Sequence, residues 1–168
     1  MSYQKLQGYK ALGVLPSDVA NVPYPVLKEN EIEGSTTLVE VDKLIDKNGL
    51  ADFIRKGVKP GDIVYNMTLG TAATVVSVDT PDQLTLNANI MLNVGNSYII
   101  YPASVMYSGV HDANNGCVLY VGDAGDLTVT LITGTKVTFK NMPVGFVPIQ
   151  VKQVWSTNTD AKNIVALW

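Results

Sequence analysis

Residues 117–168 read as five short runs of β-forming residues joined by tight turns, and this spacing constrains the chain more than any other feature. The runs are Val118 to Val121, Leu127 to Thr133, Val137 to Asn141, Val147 to Trp155 and Ile164 to Trp168, all rich in β-branched, aromatic or alternating apolar residues. Asp123 to Gly125, Gly134 and the stretch Pro143 to Gly145 supply the turns. Packing and turns use nearly every residue, and the segment stops on a bare Trp168. Such a segment points to a building block whose function is its surface.

Upstream, residues 28–102 read as a second β module. Thr36 to Val41 alternates, with Thr37, Val39 and Val41 on one side. Leu50, Phe53 and Ile54 then fall at i, i+3 and i+4, the stripe of one short helix, which Gly57 ends in the left-handed position and Pro60 prevents from continuing. Beyond the Pro60-Gly61 turn, strands are expected around Ile63, Tyr65 and Met67, over Thr74 to Val78, along Leu84, Leu86, Ala88 and Ile90, and over Ser97 to Tyr101. Asp79 and Asp82 flank Pro81 as a hairpin turn. The loop-rich stretch from Ala103 to Gly116 marks the boundary with the C-terminal module, residues 103–168. The expected fold is all-β with one short helix, as two small β-sandwich or barrel modules behind an extended N-terminal arm.

That arm is residues 1–27, where no period of 2 or 3.6 persists and Pro16, Pro23 and Pro25 favour extended backbone. Fully stretched it spans on the order of 80 Å, enough to cross a neighbouring subunit. Tyr3, Tyr9 and Tyr24 are its candidate anchors. A tail that packs on its own domain is the competing reading. In the last strand, Ile164, Ala166 and Trp168 face one way while Val165 and Leu167 face the other, so both faces are apolar. One face lines the module's own core, and the other needs a cover. Modules of about 65 residues are marginal alone, and exposed sheet edges invite aggregation unless a closed assembly removes them. A homo-oligomer, three- or five-fold, is therefore expected, with Val165, Leu167 and Trp168 as interface candidates beside the tyrosines.

Chemistry is hard to find in this sequence. His111, Asp112 and Cys117 lie close together but lack the further ligands of a metal site or the positioned base of a thiol nucleophile. Gly122-Asp123-Ala124-Gly125-Asp126 matches neither a phosphate loop nor an EF-hand and reads as a turn. A single cysteine forms no internal disulfide. One arginine, a net charge of -3 and a pI near 5.0 argue against nucleic acid as a ligand. No run reaches the roughly 18 apolar residues of a membrane span, and the first residues lack the apolar core of a secretion signal. No enzyme activity, catalytic residue, metal or cofactor is expected, nor a membrane partner.

Three segments carry a resemblance: LYVGDAGDLTV at 119–129, VTFKNMPVGFVPIQVKQV at 137–154 and NIVALW at 163–168. Together they resemble small tailed-phage virion proteins, including the spike base proteins of gene transfer agents. Separately, the stretch from Lys59 to Tyr101 is similar to a β module scattered through phage structural proteins, in which GD-x-V opens a strand and A-T-V-x-S-V-D follows. The resemblance implies a virion structural protein, assembled in the host cytoplasm: a capsid-decoration (cement) or spike-base subunit that docks on the major capsid protein or another virion protein and stabilises the head or anchors a fibre. A neck, tail or baseplate adaptor is the alternative. A carbohydrate- or receptor-binding module, stacking sugars on Tyr101, Tyr107 or Trp155, is the reading from a different class.

Overall fold

The computed structural model describes residues 10–25, 31–48, 51–103, 106–107, 111–112 and 116–168, and over these the protein is all-β. Two six-stranded sheets form the fold, one of them curled into a half-barrel. One sheet contains β2 (Ile32–Ser35), β3 (Lys43–Ile45), β4 (Ile63–Asn66), β5 (Thr71–Thr80), β6 (Gln83–Leu86) and β7 (Ser97–Tyr101), in the order β2-β7-β4-β5-β6-β3. A two-stranded ribbon follows, β8 (Met106–Tyr107) with β9 (His111–Asp112). The other sheet is built from β1 (Ala11–Gly13), β10 (Cys117–Val121), β11 (Gly125–Leu131), β12 (Lys136–Met142), β13 (Gly145–Val154) and β14 (Val165–Leu167), ordered β1-β14-β10-β13-β11-β12.

Period-2 alternation sorts the first sheet's side chains onto two buried faces. Val64, Ala73, Val75, Tyr98 and Ile100 point into one core, closed by Ala51, Phe53 and Val58 from the loop that follows β3. Ile63, Tyr65, Ala72 and Tyr101 point the opposite way into a second core, completed by Leu12, Leu15 and Ala20 from the leader. A sheet buried on both faces must be apolar throughout, which is why β4 shows no polar alternation. The second sheet keeps a third core, with Leu119, Val121, Leu127, Val129, Val147, Val151 and Ala166 packed against Val14 and Ile164. Gly125 lets the 160–161 segment close this core, since a Cβ there would sit 2.6 Å from the Ala161 amide nitrogen.

Two sequence expectations change at this level. The helix expected from Leu50 to Gly57 is a single turn: Leu50 lies outside the described residues, and Ala51 to Val58 contains no helix. Gly57 is left-handed (φ 76°) as its position required. Its N–H bonds to the Ile54 carbonyl while the Val58 N–H reaches Phe53, so the helix stop folds but closes on only one turn. The strand expected at Thr36 to Val41 is mostly a loop. Thr36 is drawn into bonds with Asn93 and Asn96, and Asp42 turns the chain at φ 56°, leaving only Leu38 bridged to Ile45. At the next turn, the Lys43 ammonium and the Ser77 and Thr85 hydroxyls beside Asp79 hold that carboxyl below the usual carboxylate range and tie β3 to the β5–β6 hairpin.

Tyr3 and Tyr9 lie outside the described residues. From Lys10 to Pro25 the leader runs against both six-stranded sheets. β1 pairs with β14, matching Ala11 with Leu167 and Gly13 with Val165. Further along, Ser17 donates its hydroxyl to the Ala72 carbonyl at 2.8 Å in the first sheet, and Gln153 of the second sheet donates to the Ser17 carbonyl at 3.0 Å. The Val19 carbonyl accepts from Thr74 and Asn87, and Asp18 accepts from Thr157. This segment is thus a splint bonded to both sheets.

Candidate assembly face

The register of the second sheet lines up the outward side chains of four strands. Gly13, Val165, Tyr120 and Phe146 are successive cross-strand partners on β1, β14, β10 and β13, and Ala11, Leu167 and Val118 form the row beside them. The next row, Leu12, Ala166, Leu119 and Val147, belongs to the opposite face, where the last three are buried. The two outer rows carry no charged residue. Phe146 is 66% exposed and meets Tyr120 edge to face at 5.3 Å, while Val118, Tyr120, Val165 and Leu167 are half-buried. Val144 and Ile149 add exposed aliphatic surface at either side of Phe146 along the chain. Sheet faces that meet water usually alternate to polar residues, and this aromatic and aliphatic outer face departs from that pattern.

The sequence-derived interface residues separate in this geometry. Val165 and Leu167 lie within the outer face. Trp168, next in register, turns inward with Ala166 and packs on the third core. Its ring meets Tyr24 edge to face at 5.4 Å, and the Lys10 ammonium sits 4.6 Å over the Tyr24 ring, so Tyr24 anchors the leader to its own chain. Tyr120 and Phe146 are the residues sequence reading missed. Parity within one strand predicts the faces of that strand alone, and only the pairing of β10 with β13 places them beside Val165.

The remaining candidates resolve as follows. Cys117 is buried at the start of β10, its sulfur 3.6 Å from the Val151 carbonyl oxygen, and burial pushes the thiol up to about 12. It is held protonated and away from solvent at neutral pH. A cleft of about 290 Å³ opens beside it between Asn21, Val22, Lys152 and Trp168. The side chains of Tyr107 and His111 lie outside the described residues. Tyr101 is 3% exposed and stacks edge-on to Tyr65 at 5.3 Å. Trp155 donates its indole N–H to Thr130 at 2.8 Å and is covered by the Lys136 ammonium at 3.2 Å from the ring centre. Neither ring offers a free platform for a sugar. Asp126 pairs with Lys140 and accepts from the Asn141 N–H, which fastens β11 to β12. Among the described residues, no group of three His, Cys, Asp or Glu side chains stands where it could hold a metal ion.

The chain matches no protein-family model, no curated protein and no solved structure.

Proposed function

We propose that this chain is a structural subunit of a tailed-phage virion, a capsid-decoration or spike-base protein that works as a homo-oligomer docked on the head. The observation that carries the reading is the uncharged outer face of β10, β13 and β14. An apolar sheet face that includes a 66% exposed phenylalanine costs solubility unless another surface covers it. The sequence patterns at 119–129, 137–154 and 163–168 add the virion context. A neck, tail or baseplate position would use the same face, and the placement in the particle separates the two. The sugar-binding alternative loses support because Tyr101 is buried and Trp155 is covered.

Two measurements test the proposal. Light scattering of the purified protein is expected to give a discrete multiple of the 18.1 kDa chain, and Phe146→Lys to reduce that multiple. Electron cryomicroscopy of the particle that encodes the chain is expected to place this fold on the head. Density on the tail moves the assignment to an adaptor, and particles that lack the chain altogether overturn it. Glycan binding abolished by Phe146→Ala, in a protein that stays single-chain, would replace assembly with recognition.

A further inference from the structure

The two sheets are joined through the leader. Among the described residues, no hydrogen bond links residues 31–103 to residues 116–168, and none of the three apolar cores draws side chains from both sheets. Leader side chains divide between the two instead. Leu12, Leu15 and Ala20 pack on Ile63, Tyr65, Ala72 and Tyr101 of the first sheet, while Val14 and Val22 pack in the core of the second. Polar bonds divide the same way. The Val14, Ser17 and Val22 N–H groups donate to the Ile164, Val154 and Lys152 carbonyls in and beside the second sheet. The Ser17 hydroxyl and the Val19 carbonyl bond to Ala72, Thr74 and Asn87 of the first module.

One position in this seat is poorly matched. Tyr65 is 1% exposed among the leader side chains, and its hydroxyl makes no hydrogen bond of normal geometry with any described residue. The Leu15 N–H of the leader is the backbone group beside it, too poorly placed to satisfy it. A buried hydroxyl without a partner forgoes the bonds that water supplies, and it regains them when its cover lifts. Segments that contribute a few side chains to each of two cores, and form no core of their own, open below the global stability of a fold. The leader meets that condition, and the Tyr65 hydroxyl opposes its seating.

We infer that residues 12–22 are a releasable clasp between the two β modules. Seated, the clasp locks both modules into one body and fixes the angle at which the second sheet presents its outer face. Released, each module keeps an inner core of its own, around Leu44, Phe53 and Ile100 in the first and around Leu119, Leu127 and Val151 in the second, and the two move independently. Release hydrates the Tyr65 hydroxyl, which brings opening within reach short of global unfolding. The clasp depends on the joint between modules alone, so it stands whether or not the chain is a virion subunit.

Native-state hydrogen exchange of the full chain, with two substitutions of opposite effect, tests this. In wild type the Val14, Ser17 and Val22 amides are expected to exchange as a group, at least about tenfold faster than amides in the middle of β4 and β10. Tyr65→Phe removes the unpartnered hydroxyl and is expected to slow the three leader amides by about tenfold. Ala20→Asp sets a carboxylate in the buried seat on the first sheet and is expected to speed them at least about tenfold while β4 and β10 stay protected. Its calorimetric melt is expected to split into two transitions where wild type gives one. Should Ala20→Asp fail to fold, Ser17→Ala, which loses the bond to Ala72, replaces it with the same direction expected. Leader amides that exchange with β4 and β10 in wild type, or that Tyr65→Phe fails to slow, overturn the clasp. A leader that opens in Ala20→Asp while the melt remains a single transition shows the modules to be joined elsewhere, and overturns it as well.

Discussion

Replacing Asn66 by alanine should destabilise the first sheet out of proportion to the atoms removed. The side chain is fully buried; its amide nitrogen donates to the Ile90 carbonyl, Asn96 Oδ1 and the Met91 sulfur, and its oxygen accepts from the Thr68 and Leu69 N–H groups. Thr68 and Leu69, whose N–H groups it accepts, lie on an exposed turn where water replaces the lost acceptor at a net cost of about 0.5–1 kcal/mol each. The Ile90 carbonyl is interior and is left with an empty lone pair, about 1–3 kcal/mol more. The sum is about 2–5 kcal/mol. With a urea slope of about 2 kcal/mol/M, the unfolding midpoint falls by roughly 1–2.5 M. Asn66→Asp keeps the two acceptor bonds but sets a carboxylate against the Ile90 and Asn96 oxygens, and should be at least as damaging. The assay is urea unfolding followed by tyrosine fluorescence, with hydrogen exchange at Thr68 and Leu69 reporting the loop. A midpoint shift below about 0.3 M for Asn66→Ala would refute the network as the element that fixes this edge.

Gly34→Ala should cost about 1–3 kcal/mol, because its Cβ would sit 2.5 Å from both the Asp46 carboxylate and the Tyr98 hydroxyl and force apart their 2.8 Å hydrogen bond; an unchanged melting temperature counts against it. Trp168→Ala should cost about 2–3 kcal/mol through lost packing on the third core and the lost Tyr24 edge contact, read from denaturant midpoints. Deleting residues 1–25 should leave a chain that precipitates or melts early, since it uncovers the β14 edge and strips Val14 and Ala20 from two cores; a soluble truncation with the native midpoint would show the leader to be dispensable. Cys117 should resist a disulfide reagent at pH 8 until the protein unfolds. Its thiol ionises near 12 when folded and near 8.5 when exposed, so its contribution to stability is complete below about pH 8.5 and drains away as pH rises towards 12; immediate labelling of the native protein is the contrary result.

The C-terminal strands are legible in the sequence to within a few residues, because β10 to β14 are bounded by Gly, Asp, Asn and Pro turns that interrupt otherwise continuous apolar alternation. β7 coincides with Ser97 to Tyr101 for the same reason. β1, β2 and β3 are not legible. Each is three or four residues long and becomes a strand only because β14, β7 or β6 presents a ladder to it. Thr36 to Val41 has the alternation of a strand but meets a neighbour only where Thr37 and Leu38 approach Ile45, so bonds from Thr36 to distant Asn93 and Asn96 outweigh propensity. Val165 and Leu167 are readable as outward by parity within one strand. Tyr120 and Phe146 require the register between strands, which the bulge in the β10–β13 pairing hides from any local reading.

Pairing of β1 with β14 makes the eleventh residue wait for the 167th. β1 therefore has no ladder until residues 165–167 have been made, and the Leu12, Leu15 and Ala20 side of one core is without its strand partner until then. The same adjacency brings the two ends of the described chain side by side, where a short tether between them and a cut at the Pro81–Asp82 hairpin would yield a circular permutant whose first and last strands are made together.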